Sequence, residues 1–147
     1  MKGRLFIPCL AFVVLCVSKP GSGRAESPND ILIIANHGVS VGSLSPDELK
    51  ALYLKQRTSW KGGARVVPIH AKGNTPLRKV FVSKVLSMQL AQEQSYWQEQ
   101  KIRKGIAPPP EFGNTLKAVF KIRGALGYVF RKDYREGVVK VLLVLPD

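Results

Sequence analysis

Apolar and polar positions fall in blocks along this chain, and the blocks predict its elements. Ile31–Ala35 (ILIIA) is apolar at every position, the pattern of a strand covered on both faces. Asn36–Ser43 is small and polar, so it reads as a loop. Ser45-Pro46-Asp47-Glu48 opens a helix: Ser45 caps, Pro46 takes the first helical position, and Glu48 completes a capping box. Leu49, Leu52 and Tyr53 give this helix one buried face, and it runs out near Gln56. Thr58–Ala64 is a turn holding Trp60. Val66, Val67 and Ile69 form a second buried strand. Ala71–Asn74 is a polar turn, and Thr75 and Pro76 cap and start a second helix. Leu77, Val80, Phe81 and Val85 make its core stripe. Ser87–Gln89 breaks the pattern.

Leu90–Lys104 is a third helix, polar overall, with Leu90, Tyr96, Trp97 and Ile102 as its expected contacts and Gly105 as its stop. Pro108-Pro109-Pro110 forces an extended connector. Asn114 or Thr115 caps a short fourth helix bearing Leu116, Val119 and Phe120. Gly124–Val129 is a tight turn entering a strand, Lys132–Gly137 is a charged turn, and Val138–Leu145 is the last strand. Strands alternating with helices predict an α/β fold around a mostly parallel or mixed sheet flanked by helices.

The first 25 residues stand outside this pattern. Lys2 and Arg4 precede the apolar run Leu5–Val17, and a polar segment ends in Gly23-Arg24-Ala25. That order and length describe a secretory signal peptide cleaved after Ala25. A retained anchor is the alternative, but the run is short for a membrane span. The expected mature unit is a single domain, residues 26–147, in the periplasm or secreted. Both cysteines, Cys9 and Cys16, lie in the signal, so the mature domain is expected to hold no disulfide. No later stretch is apolar for long enough to cross a bilayer.

Charge narrows the partners. The formal net charge is +13 over 147 residues. Losing Lys2, Arg4, Lys19 and Arg24 with the signal leaves +9, an excess that favours anionic partners. Export speaks against nucleic acid. The centre of interest is Val66–Phe81, where a strand runs into a helix start. Such a mouth leaves backbone N–H groups unpaired and carries the positive end of the helix dipole, so a small anion fits there. His70, Lys72 and Arg78 surround it. The candidate anion-binding set is Asn74, Thr75 and Arg78, with Ser40 and Ser43 expected to reach the same crevice from the loop after the first strand. Arg78 sits against the dipole in the first helical turn, which asks for a compensating anion. The plain alternative is a capped helix with solvated basic residues. Two histidines make a weak case for a metal, no cofactor is expected, and no nucleophile elbow or zinc-protease motif marks an enzyme.

The segment Leu44–Leu49 (LSPDEL), followed by Leu52–Lys55 (LYLK), Trp60 and Gly62, resembles part of the phosphate-binding type of periplasmic solute-binding proteins. Val66–Phe81, Tyr96-Trp97, Gly105 and Gly124–Val129 (GALGYV) follow in that family's order. The resemblance implies a type II periplasmic-binding fold, of which the mature length supplies roughly one lobe. It also implies phosphate or a similar oxyanion as ligand and an ABC transporter permease as partner, with a homodimer as another way to supply the second wall. The family's Ser-Gly-Thr turn corresponds to Gly73-Asn74-Thr75, and its preceding arginine to His70 or Lys72. The rival reading is a single-lobe interaction module that has lost solute binding and docks an acidic envelope partner.

Overall fold

The computed structural model describes residues 23–147; residues 1–22, the body of the expected signal peptide, lie outside the described part. A four-stranded sheet forms the middle layer. Its strands are β1 (Ile31–Ala35), β2 (Val67–Pro68), β5 (Ala125–Phe130) and β6 (Lys140–Leu145), in the order β2-β5-β1-β6. A separate two-stranded piece pairs β3 (His70–Ala71) in parallel with β4 (Glu111–Phe112). The expected strand at Val66–Ile69 is thus only the two-residue β2, and the chain then forms β3 at His70–Ala71, where a turn is expected to begin, in a different sheet.

The apolar run of β1 has the two-sided cover that its sequence predicts. Ile31, Ile33 and Ala35 face α1 (Pro46–Tyr53) and α2 (Pro76–Phe81), packing with Leu49, Leu52, Tyr53 and Phe81. Leu32 and Ile34 face the other way, onto Ala118 and Val119 of α4 (Thr115–Lys121). Burying each such side chain stabilises the fold by roughly 1.5–3 kcal/mol. Gly127 of β5 is what lets α4 lie so close: a Cβ there would sit 2.6 Å from Val119 Cγ2. The helix starts follow the sequence: Ser45 and Glu48 form the full capping box, Thr75 caps α2, and Asn114 caps α4. After α2 the chain widens into a π-helical turn, Val82–Leu86, and then runs into α3 (Leu90–Lys104), closed by Gly105.

Strand direction decides between the expected mostly parallel and mixed sheets. β1 is antiparallel to both of its neighbours, β5 and β6, and only β2 is parallel to β5 in this sheet. The sheet is therefore mixed. Alternating strands and helices suggest parallel crossovers, but β1 is wedged between two strands from the far end of the chain. The link from β5 to β6 returns across the α4 face, where Tyr134, Val138 and Val139 join the core. Among the described residues no helix is long and apolar enough to cross a membrane.

Candidate functional site

The direction of β1 decides which predicted residues meet. The C-terminal end of β1, Ala35, pairs with Leu126 at the start of β5, whereas β2 runs alongside β5 toward Phe130. The loop holding Ser40 and Ser43 therefore leaves one end of the sheet, and the turn holding Asn74 and Thr75 lies toward the other. The expected shared crevice does not form. Ser40 instead lies beside Gly62. The neighbouring mouth of α1 is occupied by the chain's own Glu48, which accepts from Ser45 N–H at 3.0 Å. That hydrogen bond holds the Glu48 carboxyl below its usual range.

Beneath the Ala71–Thr75 turn lies a buried polar cluster. Ala71 N–H donates to Tyr128 Oη (3.1 Å), and Tyr128 Oη lies 2.9 Å from His70 Nδ1. The phenol has already accepted one bond, so its own proton goes to Nδ1. That leaves the proton of a neutral His70 on Nε2, 3.0 Å from Glu93 Oε1 and off the line of a straight hydrogen bond. Burial pushes the imidazole pKa down, against the pull of Glu93, so the ring stays neutral at pH 7. Burial alone would raise Glu93; its contacts with His70 and Arg78 outweigh that and hold it below its usual range.

Arg78 belongs to this cluster. Its Nη2 donates to both Glu93 oxygens (3.1 and 3.0 Å), and its Nη1 to Ala71 O and Glu111 Oε1 (3.0 Å each). The second Glu111 oxygen accepts from Gly73 N–H at 3.2 Å. The anion that Arg78 asks for is thus the chain's own pair of carboxylates. With two glutamates, one arginine and a neutral histidine, the cluster carries a net negative charge. A free oxyanion gains nothing by approaching it, and Arg78 holds the turn rather than a ligand.

Beside the same turn a cleft of about 560 Å³ opens to solvent, lined by Lys72, Thr75, Pro76, Thr115, Phe130 and Lys132 among others. Asn74 and Thr75 are exposed. Among the described residues, no protein acceptor meets the N–H of either. The Thr75 hydroxyl accepts from Arg78 N–H (3.4 Å) and keeps its proton to donate. No carboxylate of the described residues forms an ion pair with Lys72 or Lys132; the Lys132 ammonium lies 5.1 Å from the Phe130 ring centre. This arrangement offers neutral donors and two unspent cations, with Asp133 as the one acid of the lining. Such a set can hold an anion.

Of these groups, sequence reasoning finds Asn74, Thr75 and Lys72. It misses Lys132, because nothing local ties that charged turn to a loop nearly sixty residues earlier. It also misses Glu93, although Glu93 shares a helical face with Trp97 at i, i+4 spacing. The need of Arg78 for an anion was the available signal.

No family profile matches the chain, and no curated protein matches it significantly. Solved structures do. One neighbour is described as a phosphate ABC transporter substrate-binding protein from Clostridium perfringens, with bound phosphate. It has a TM-score of 0.57 and 17% identity, over 78% of this chain and 45% of that one. Another is an ABC-type phosphate transport receptor from Vibrio cholerae, with a TM-score of 0.60 and 15% identity, over 80% of this chain and 47% of that one. The chain thus has the α/β fold of part of these binding proteins and spans less than half of their length.

Proposed function

We propose that this chain is an exported solute-binding domain that holds phosphate or a similar oxyanion in the cleft beside Thr75, in association with an ABC transporter. The observation that carries the reading is the convergence of Lys72, Lys132 and Thr75 on one cleft, with the exposed Asn74 next to Thr75 in the turn. The fold likeness to a phosphate transport receptor and to a structure with bound phosphate supports it, and supports binding rather than catalysis. The signal-like N-terminus supports export. An open cleft leaves one side of the ligand in water, so affinity from this domain alone is low. A permease or a second copy of the chain supplies the other wall.

Calorimetry with phosphate at low and physiological salt tests the reading. Saturable heat that is lost in Thr75→Ala and in the Lys72→Ala/Lys132→Ala pair is the expected result. No heat, with an unchanged melting temperature, overturns it, because a ligand of the native state must stabilise that state. The second reading, an interaction module, draws on Glu111: its carboxylate already occupies the Gly73 amide and Arg78. Under that reading the exposed cations meet acidic groups of a protein partner instead of a solute.

A further inference from the structure

The cleft beside Thr75 does not end at Lys132. A second hollow of about 620 Å³ continues from it, the two sharing Leu77, Gly113, Thr115 and Asp133 in their walls. The second hollow adds Lys117 and Arg135, with Leu77, Phe120 and Val138 as apolar lining. Among the described residues, none of Lys72, Lys132, Lys117 and Arg135 forms an ion pair with a carboxylate. Arg78, the one arginine near the turn that the sequence points to, is spent on Glu93 and Glu111. Four unspent cations therefore line two adjoining hollows against a single acid, Asp133. Each half alone has the size that holds a ligand of many atoms, roughly 300–1,000 Å³. A lone oxyanion would touch one end and leave Lys117 and Arg135 facing water.

From this geometry we infer that the adjoining hollows take an extended soluble polyanion, with two or more phosphoryl-type charges in a row, rather than a single oxyanion. One charge sits among Lys72, Lys132 and the Thr75 hydroxyl; the next reaches Lys117, Arg135 and the free amide N–H groups of the Asn114 side chain. That side chain accepts from Lys117 N–H through its oxygen (3.0 Å), so its nitrogen remains able to donate. The inference deepens the proposed oxyanion-binding role and rests on the same cleft.

The test is calorimetry on the mature protein at fixed ionic strength, with inorganic tripolyphosphate and orthophosphate as probes. Tripolyphosphate is expected to bind about tenfold or more tightly than orthophosphate, one added charged contact being worth that much. The Lys117→Ala/Arg135→Ala pair is expected to weaken tripolyphosphate several-fold and leave orthophosphate unchanged. A Lys101→Ala/Arg103→Ala/Lys104→Ala variant, which removes more charge at a distant helix end, is expected to leave both unchanged. Equal affinity for the two probes overturns the inference while orthophosphate binding sustains the simpler reading. Equal weakening by the distant variant also overturns it, since general surface charge then explains the binding. If neither probe binds, the inference and the proposed function both fail. Tripolyphosphate binding without orthophosphate binding supports the extended ligand and removes the small one.

Discussion

Arg78 shows how a residue singled out for a ligand can be used up by the fold. A buried guanidinium between two carboxylates is costly to break, because removing one partner strands the others without water. Such losses run at about 3–5 kcal/mol, a large part of the stability of a small domain, about 5–15 kcal/mol. Arg78→Ala and Glu93→Gln are each expected to lose about that much in urea denaturation at pH 7; a loss below about 1 kcal/mol would show that the cluster does not hold the turn. His70 makes the same cluster acid-sensitive. Its folded pKa lies below the unfolded value, so the unfolded chain takes up the proton first. The stability that neutral His70 contributes is complete above the unfolded value of about 6.5. It is lost as pH falls through the lower folded value, and Glu93 adds a second loss further down, below about 4.3. Melting temperature against pH is expected to decline from about pH 6.5 downward, and His70→Gln is expected to flatten the upper part of that decline. An unchanged profile in the variant would assign the acid sensitivity to the carboxylates alone.

The elements were legible where local chemistry sets them. Ser45-Pro46-Asp47-Glu48, Thr75-Pro76 and Gly105 mark real helix ends, and ILIIA is a strand buried on both faces. What local chemistry could not show was pairing: the direction of β1, the division of Val66–Ala71 between two sheets, and the π-helical turn that buries Val82. Helix faces were also misread. Ile102, an expected contact of α3, is 84% exposed, whereas Glu93 on the buried side is 1% exposed. The apolar side chain stays in water because the Arg78 charge needs Glu93 on that face. Ile102→Ser is therefore expected to change stability by no more than about 0.5 kcal/mol. Gly124 is the opposite case. Its φ is +78°, and a Cβ there would lie 2.5 Å from Arg65 O, where the turn meets the Trp60 indole. Gly124→Ala is expected to cost roughly 1–3 kcal/mol. Gly105→Ala shares the positive φ but meets no neighbour, so it is expected to cost less; comparing their melting temperatures separates strain from collision.

At the scale of the molecule, the structure does not bring the five predicted site residues together: Arg78 is bound to Glu93 and Glu111, and two serines lie elsewhere. Thr75 lines a cleft with Asn74 exposed beside it; Ser40 and Ser43 depart from the other end of the sheet because β1 runs against β5. No reading of spacing could have revealed that, since spacing carries no strand direction. The cations that replace Arg78, namely Lys72 and Lys132, come together only through tertiary packing. The chain also spans less than half of its structural neighbours. Binding that rests on exposed cations should weaken as salt screens them over about 8–10 Å. The most direct measurement is amide-resolved NMR of residues 26–147 during titration with phosphate. Binding in the cleft beside Thr75 gives saturable shifts centred on the amides of Lys72, Asn74, Thr75 and Lys132, with little change at Ser40 and Ser43. Shifts confined to the Ser40–Ser43 loop, or none at the Thr75 turn at any phosphate concentration, would contradict it.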